Sequence, residues 1–175
     1  MDSHPYYDGF TQRWNEATDR IAERHQIESI LIMESTPTHM VTAASGGPAR
    51  ETYVPGGAGP KSVIPGHHKL YCEQVVNTDT PLLVPDAASD PEWRGNEDLV
   101  KFGFGFYLGV PVHDAAGTPI GTVCALHPGR PGGEEALEGL RADLGVAFRF
   151  ATPSLSRRRN SPRPARIDSA GYRFS

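Results

Sequence analysis

Phe106-Tyr107-Leu108-Gly109-Val110-Pro111-Val112-His113-Asp114-Ala115-Ala116-Gly117-Thr118-Pro119-Ile120-Gly121-Thr122-Val123-Cys124-Ala125-Leu126 is the stretch that decides the fold. Two apolar runs, Gly105 to His113 and Thr118 to Leu126, flank Asp114-Ala115-Ala116-Gly117. That pattern predicts a β-hairpin closed by a four-residue loop. Phe106, Leu108, Val110 and Val112 fall on one face; Tyr107, Gly109 and Pro111 fall on the other. Neither face carries charge, so both should be covered. Pro111 has no N–H to give the ladder, which predicts a bulge or an unpaired position there. Gly109 would allow another element, or a ligand, to come close to the backbone.

Upstream of the hairpin, Phe10 to His25 predicts a helix, with Phe10, Trp14, Ala17, Ile21 and Ala22 at helical spacing and Asp8 as N-cap. Glu28 to Glu34 and Met40 to Ala44 read as a pair of strands joined at Thr36-Pro37-Thr38. Arg50 to Val54 reads as a short third strand, and Pro55 to Gly66 as a long Gly/Pro loop of the kind that is usually functional. A helix is expected from His67 to Asn77, then an extended segment from Pro81 to Ala87. Asp86 and Asp90-Pro91 mark turns. Asn96 is positioned to cap a short helix through Phe102, ended by Gly103. A last helix is expected from Glu134 to Phe150, with Leu137, Leu140, Leu144, Ala147 and Phe148 as its apolar stripe.

The chain has 175 residues, enough for one conventional core. Its longest apolar runs, such as Ile30-Leu31-Ile32-Met33, fall far short of the about 20 residues a spanning helix needs. The first residues lack a basic segment followed by an apolar one, so no signal peptide is expected. Two cysteines are too few for a disulfide framework and point to a reducing, cytoplasmic setting. The net charge of −4 divides unevenly: six Arg against one Asp in Ser156–Ser175 give +5, leaving −9 on the remainder. An acidic body argues against nucleic-acid binding. The stretch from Pro153 onward, rich in Arg, Pro and Ser, is too poor in apolar residues to pack and should be disordered.

The pieces Leu70-Tyr71-Cys72-Glu73, Pro85-Asp86-Ala87, Asp90-Pro91-Glu92-Trp93, Asn96, Tyr107-Leu108-Gly109-Val110-Pro111 and Gly117…Ile120-Gly121-Thr122-Val123-Cys124-Ala125-Leu126 occur in that order. The ordered set resembles the GAF domain, in particular the bacterial subgroup that serves histidine kinases and diguanylate cyclases as an input module. The resemblance covers roughly residues 10 to 150, with residues 1–9 as an N-terminal arm and 151–175 as a tail. It implies an α+β fold: an antiparallel sheet of about six strands with helices on both faces, related to PAS domains. It places the terminal helices on one face and a ligand pocket on the other. It implies a regulatory sensor in signal transduction, without catalysis, that binds an unidentified small molecule or acts as a protein-interaction module. It also implies a homodimer through the terminal helices, with Leu137, Leu140 and Leu144 beside Phe10, Trp14 and Ile21 at the contact. Either the output partner is a separate protein, such as a kinase or cyclase, or the sensor has lost its output. The chain departs from the subgroup at His127-Pro128, where an Asp is usual.

Tyr53, Tyr71, Glu73, Asp86, Trp93, Asn96, Phe102 and Tyr107 sit on the elements that would surround such a pocket, and are the expected ligand-binding residues. Apolar linings with a few polar groups suit small molecules. Cys72 and Cys124 would be the nucleophiles of the competing reading, a thiol-dependent reductase of the kind that reduces free methionine sulfoxide. Their apolar surroundings fit buried structural thiols better. His67, His68 and Cys72 are too few for a zinc site without a second cluster. Gly56-Gly57-Ala58-Gly59-Pro60-Lys61-Ser62 misses phosphate-loop spacing because Pro60 stands where Gly belongs. No cofactor is specified by any motif.

Overall fold

The computed structural model describes residues 5–160, and side chains for residues 12–147. Six strands form one antiparallel sheet: β1 (Ser29–Ser35), β2 (His39–Gly46), β3 (Ala58–Pro60), β4 (Leu82–Val84), β5 (Phe106–His113) and β6 (Pro119–His127), in the order β3-β2-β1-β6-β5-β4. Among the described residues there are four α-helices: α1 (Pro5–His25), α2 (Tyr71–Thr78), α3 (Glu97–Phe102) and α4 (Glu134–Asn160). The α+β architecture expected from the sequence is present.

The hairpin β5–β6 follows its sequence pattern. Asp114 accepts hydrogen bonds from the N–H groups of Ala116 at 2.9 Å and Thr118 at 3.0 Å, and Gly117 takes a positive φ of 81°. These contacts fix the register, Tyr107 opposite Leu126 and Gly109 opposite Cys124. Alternation then sorts the side chains into two cores. Phe106, Leu108, Val112, Val123 and Ala125 join Ile30 and Ile32 beneath Trp14 and Ala22 of α1 and Leu137, Leu140 and Leu144 of α4. Tyr107, Cys124 and Leu126 join Leu31 and Met33 on the opposite face, beneath Leu70, Tyr71, Cys72 and Val75. The irregularity expected at Pro111 lies between Val112 and His113 instead; Pro111 keeps its place opposite Thr122.

Several boundaries differ from the sequence reading. Helix α1 begins at Pro5, so Asp8 lies within it and is not its cap; proline suits a first helical position, where its missing N–H has no partner to lose. Helix α4 continues to Asn160, into the stretch expected to be disordered from Pro153; residues 161–175 lie outside those described. The helix expected from His67 starts at Tyr71. The Glu73 carboxylate reaches back to accept the Leu70 N–H at 3.1 Å, and that bond sets the start.

Arg50 to Val54 is not a strand. Tight turns consume its hydrogen bonds, Arg50 N–H to Gly47 carbonyl at 3.2 Å and Thr52 N–H to Ala49 carbonyl at 3.0 Å. The third strand forms inside the Gly/Pro loop, where Ala58–Pro60 pairs with Val41–His39 at the sheet edge. An edge position tolerates Pro60, since no second neighbour asks for its N–H. The cap of α3 is as expected: the Asn96 side chain accepts the Asp98 N–H at 2.9 Å, and Gly103 closes the helix at φ 75°.

Candidate functional site

Between the sheet and the elements that cover its second face lies a cavity of about 290 Å³. Leu31, Met33, Met40 and Leu126 form its floor. Thr52, Tyr53, Val54 and Gly57–Pro60 close one side, and Leu70, Cys72, Asp98, Lys101 and Phe102 the other. The turn that replaces the expected strand at Arg50–Val54 brings Tyr53 over the hollow. There its ring meets Phe102 edge-on at 5.5 Å and stacks on Phe104 at 6.1 Å.

The polar centre of the cavity is a phenol–carboxylate pair. Tyr53 Oη donates to Asp98 Oδ1 at 2.7 Å. Burial holds the Asp98 carboxyl above the usual carboxylate range, with the Tyr53 bond and Lys101 acting against it. Burial, and then the Asp98 charge, push the Tyr53 phenol well above its ordinary value, so it acts here as a donor. At the rim, Glu97 receives Lys101 at 2.9 Å and His67 at 2.8 Å, and these bonds hold its carboxyl low. The arrangement can grip a mostly apolar molecule by one polar group at Asp98 and Tyr53.

Of the eight residues expected at the site, Tyr53 and Phe102 line the cavity. Tyr71, Trp93 and Tyr107 form a buried aromatic stack beside it. Ring centroids lie 5.1 Å apart for Tyr71–Trp93 and 4.8 Å for Tyr71–Tyr107, and Tyr71 donates to the Phe104 carbonyl at 3.1 Å. Glu73 is buried and pins the loop, accepting from Ser62 N–H at 3.0 Å and Ser62 Oγ at 2.6 Å as well as from Leu70. Asp86 caps the short 3-10 turn Ala87–Ser89. Asn96 caps α3 and donates to the Lys69 carbonyl at 3.0 Å.

Asp98 and Lys101 were not singled out from the sequence. Their spacing with Phe102, three and four residues along one helix, puts all three on one face. That was the available signal. Lys61, in the sequence that mimics a phosphate loop, donates to Ser35 Oγ at 2.7 Å and the Thr36 carbonyl at 2.5 Å. Among the described residues no cluster of three His, Cys, Asp or Glu side chains could hold a metal. No described helix is long and apolar enough to cross a membrane.

One face closed by terminal helices and one hollow beneath short covering elements define an α+β module built around a small-molecule-sized cavity. The GAF domain model matches residues 12–145, and the chain belongs to that family, whose members are in general regulatory sensor domains. Solved structures share the fold. The GAF domain of a phosphoenolpyruvate-protein phosphotransferase from Coxiella burnetii superposes with a TM-score of 0.63 at 15% identity, covering 86% of each chain. The GAF domain of nlh2 from A. aeolicus gives 0.58 at 14%, over 87% of this chain and 94% of that one. Free methionine-R-sulfoxide reductase from Neisseria meningitidis, solved with its substrate, gives 0.56 at 16%, over 86% and 81%. No protein of curated function matches the sequence.

Proposed function

We propose that this chain is a non-catalytic regulatory sensor that receives a small, largely apolar molecule in the cavity under Ala58–Pro60. The observation that carries this reading is the combination of a hollow of about 290 Å³ with a half-buried, hydrogen-bonded polar pair, Tyr53 and Asp98, in its mostly apolar wall. Tyr53, Asp98 and Phe102 contact the ligand. Tyr71, Trp93 and Tyr107 support the wall, and Glu73, Asp86 and Asn96 hold the loops and helix starts around it. A ligand biases output only by its differential affinity for two arrangements. Trp14, Leu137, Leu140 and Leu144 are spent in the core against the sheet, so the homodimer contact expected of them falls to the outward faces of the terminal helices, which pass that bias to a separate kinase or cyclase in a bacterial cytoplasm.

Native mass spectrometry of freshly purified protein tests the reading. A retained small molecule is expected, lost or weakened about tenfold in Asp98→Ala and Tyr53→Ala, a change of about 1.4 kcal/mol. Protein that emerges bare and binds nothing across a metabolite library would overturn it.

The competing reading is a thiol-dependent reductase acting on free methionine sulfoxide. It draws on the placement of Cys72 in the cavity wall with Cys124 behind it. Turnover of free methionine sulfoxide that disappears in Cys72→Ser would establish it in place of the sensor.

A further inference from the structure

Cys72 is the second residue of α2 and Cys124 lies in the middle of β6, yet their sulfurs are 3.7 Å apart. Two elements 52 residues apart in sequence bring the chain's two thiols together. The pair is not symmetric. Cys72 forms part of the cavity wall, whereas Cys124 sits behind it with no exposed surface. Tyr107 Oη donates to Cys72 Sγ at 3.4 Å. The Cys124 contact, and after it the Tyr107 bond, hold the Cys72 thiol below its ordinary value against the effect of burial; burial pushes Cys124 up. Only the Cys72 sulfur faces the hollow, where a reactant could reach it, and Cys124 stands behind it within contact distance.

We propose that Cys72 and Cys124 form a reversible dithiol–disulfide switch, in which a hydroperoxide entering the cavity oxidises Cys72 and Cys124 resolves it. The Cys72 sulfur attacks the outer peroxide oxygen and the O–O bond breaks. Cys72 becomes the sulfenic acid, and the thiol proton leaves with the other oxygen as water or an alcohol. The Cys124 sulfur then attacks Cys72 sulfur, an S–S bond forms, and the sulfenic hydroxyl departs with the Cys124 proton as water. Peroxide is reduced and two thiols are oxidised; a dithiol reductant reverses the change by exchange. Closing the pair to about 2.05 Å draws the first turn of α2 toward the sheet, and Tyr107 loses its thiol acceptor. This input goes beyond ligand sensing and does not depend on which molecule the cavity otherwise receives.

The test uses the full, freshly reduced chain treated with hydrogen peroxide. Both free thiols should disappear together in the monomer, with a mass lower by two hydrogens, a Cys72–Cys124 cross-link on peptide mapping, and full recovery with dithiothreitol. Cys124→Ser should accumulate a sulfenic acid at Cys72, trapped by dimedone, while Cys72→Ser leaves Cys124 unreacted. The Cys→Ala variants, compared by thermal melting, separate loss of the switch from loss of the fold. Thiols that survive peroxide in the folded protein would overturn the proposal. So would cross-links only between molecules, or Cys124 oxidised as fast in Cys72→Ser as in the parent. Ligand retention is scored on reduced protein, so failure of the switch and failure of the sensor reading are separate results.

Discussion

The phenol of Tyr107 lies across the backbone of Gly109, two residues along the same strand, in the space that a Cβ at Gly109 would occupy. The close approach expected at this glycine is therefore made by a neighbour's ring. It lets the Tyr107 hydroxyl reach Cys72 and lets the ring stack on Tyr71.

Gly109→Ala should displace that fully buried ring from its place against Tyr71 and Cys72. Overpacking of this kind costs about 1–3 kcal/mol. Urea denaturation followed by intrinsic fluorescence should show the midpoint falling with an unchanged slope. A midpoint equal to the parent's would mean the ring has somewhere else to go.

Glu73→Ala should loosen the loop that closes the cavity. The carboxylate accepts from Ser62 N–H, Ser62 Oγ and Leu70 N–H, and is almost fully buried. Removing it strands the buried Leu70 N–H and releases Ser62, which is exposed, a loss of about 1–3 kcal/mol. Amide hydrogen exchange should accelerate across residues 61–70. Protection there equal to the parent's would show that the loop is held by other means.

Asp98→Asn should change how stability varies with pH. Burial raises the folded-state pKa of Asp98, so its contribution is fully present below the unfolded value and is lost as pH rises through the raised folded value. The Asn carbonyl can still accept the Tyr53 hydroxyl. Relative to the parent, Asp98→Asn should therefore gain stability as pH rises from about 4 through the raised folded value. Parallel melting curves for the two proteins over that range would contradict the shift.

Asp143→Asn should uncouple the two terminal helices. Asp143 on α4 meets His25 at 2.7 Å and Arg24 at 3.0 Å at the end of α1, and the His25 bond leads in holding its carboxyl below the usual range. A depressed folded-state pKa gives stability above the unfolded value, lost as pH falls through the folded one. Arg24 is largely exposed, so the effect is about 0.5 kcal/mol. Chemical denaturation should show this gap at pH 7 and its closure below about pH 4.

The sheet was readable because alternation leaves a strong trace. The two faces of β5, assigned from Phe106, Leu108 and Val112 against Tyr107, are the two cores observed. Asn96 and Gly103 marked α3 by local chemistry alone. The misreadings fall where long-range contacts decide. Arg50–Val54 has strand-like composition, but Gly47 at φ 98° turns the chain ahead of it. The strand that pairs instead, Ala58–Pro60, has almost no side chain to announce it. The site was partly legible for the same reason. Aromatic residues were visible, but which of them face the hollow depends on turns that bring Tyr53 to Asp98 across 45 residues.

Leu31 and Leu126 lie under the hollow, while their chain neighbours Ile30, Ile32 and Ala125 lie under the terminal helices. These residues belong to β1 and β6, which are paired with one another at the middle of the sheet. The floor of the hollow and the core beneath the terminal helices are therefore one peptide apart, on the two sides of a single sheet. A message crossing this molecule needs no winding route, and the shortest lever available to it runs along the central seam.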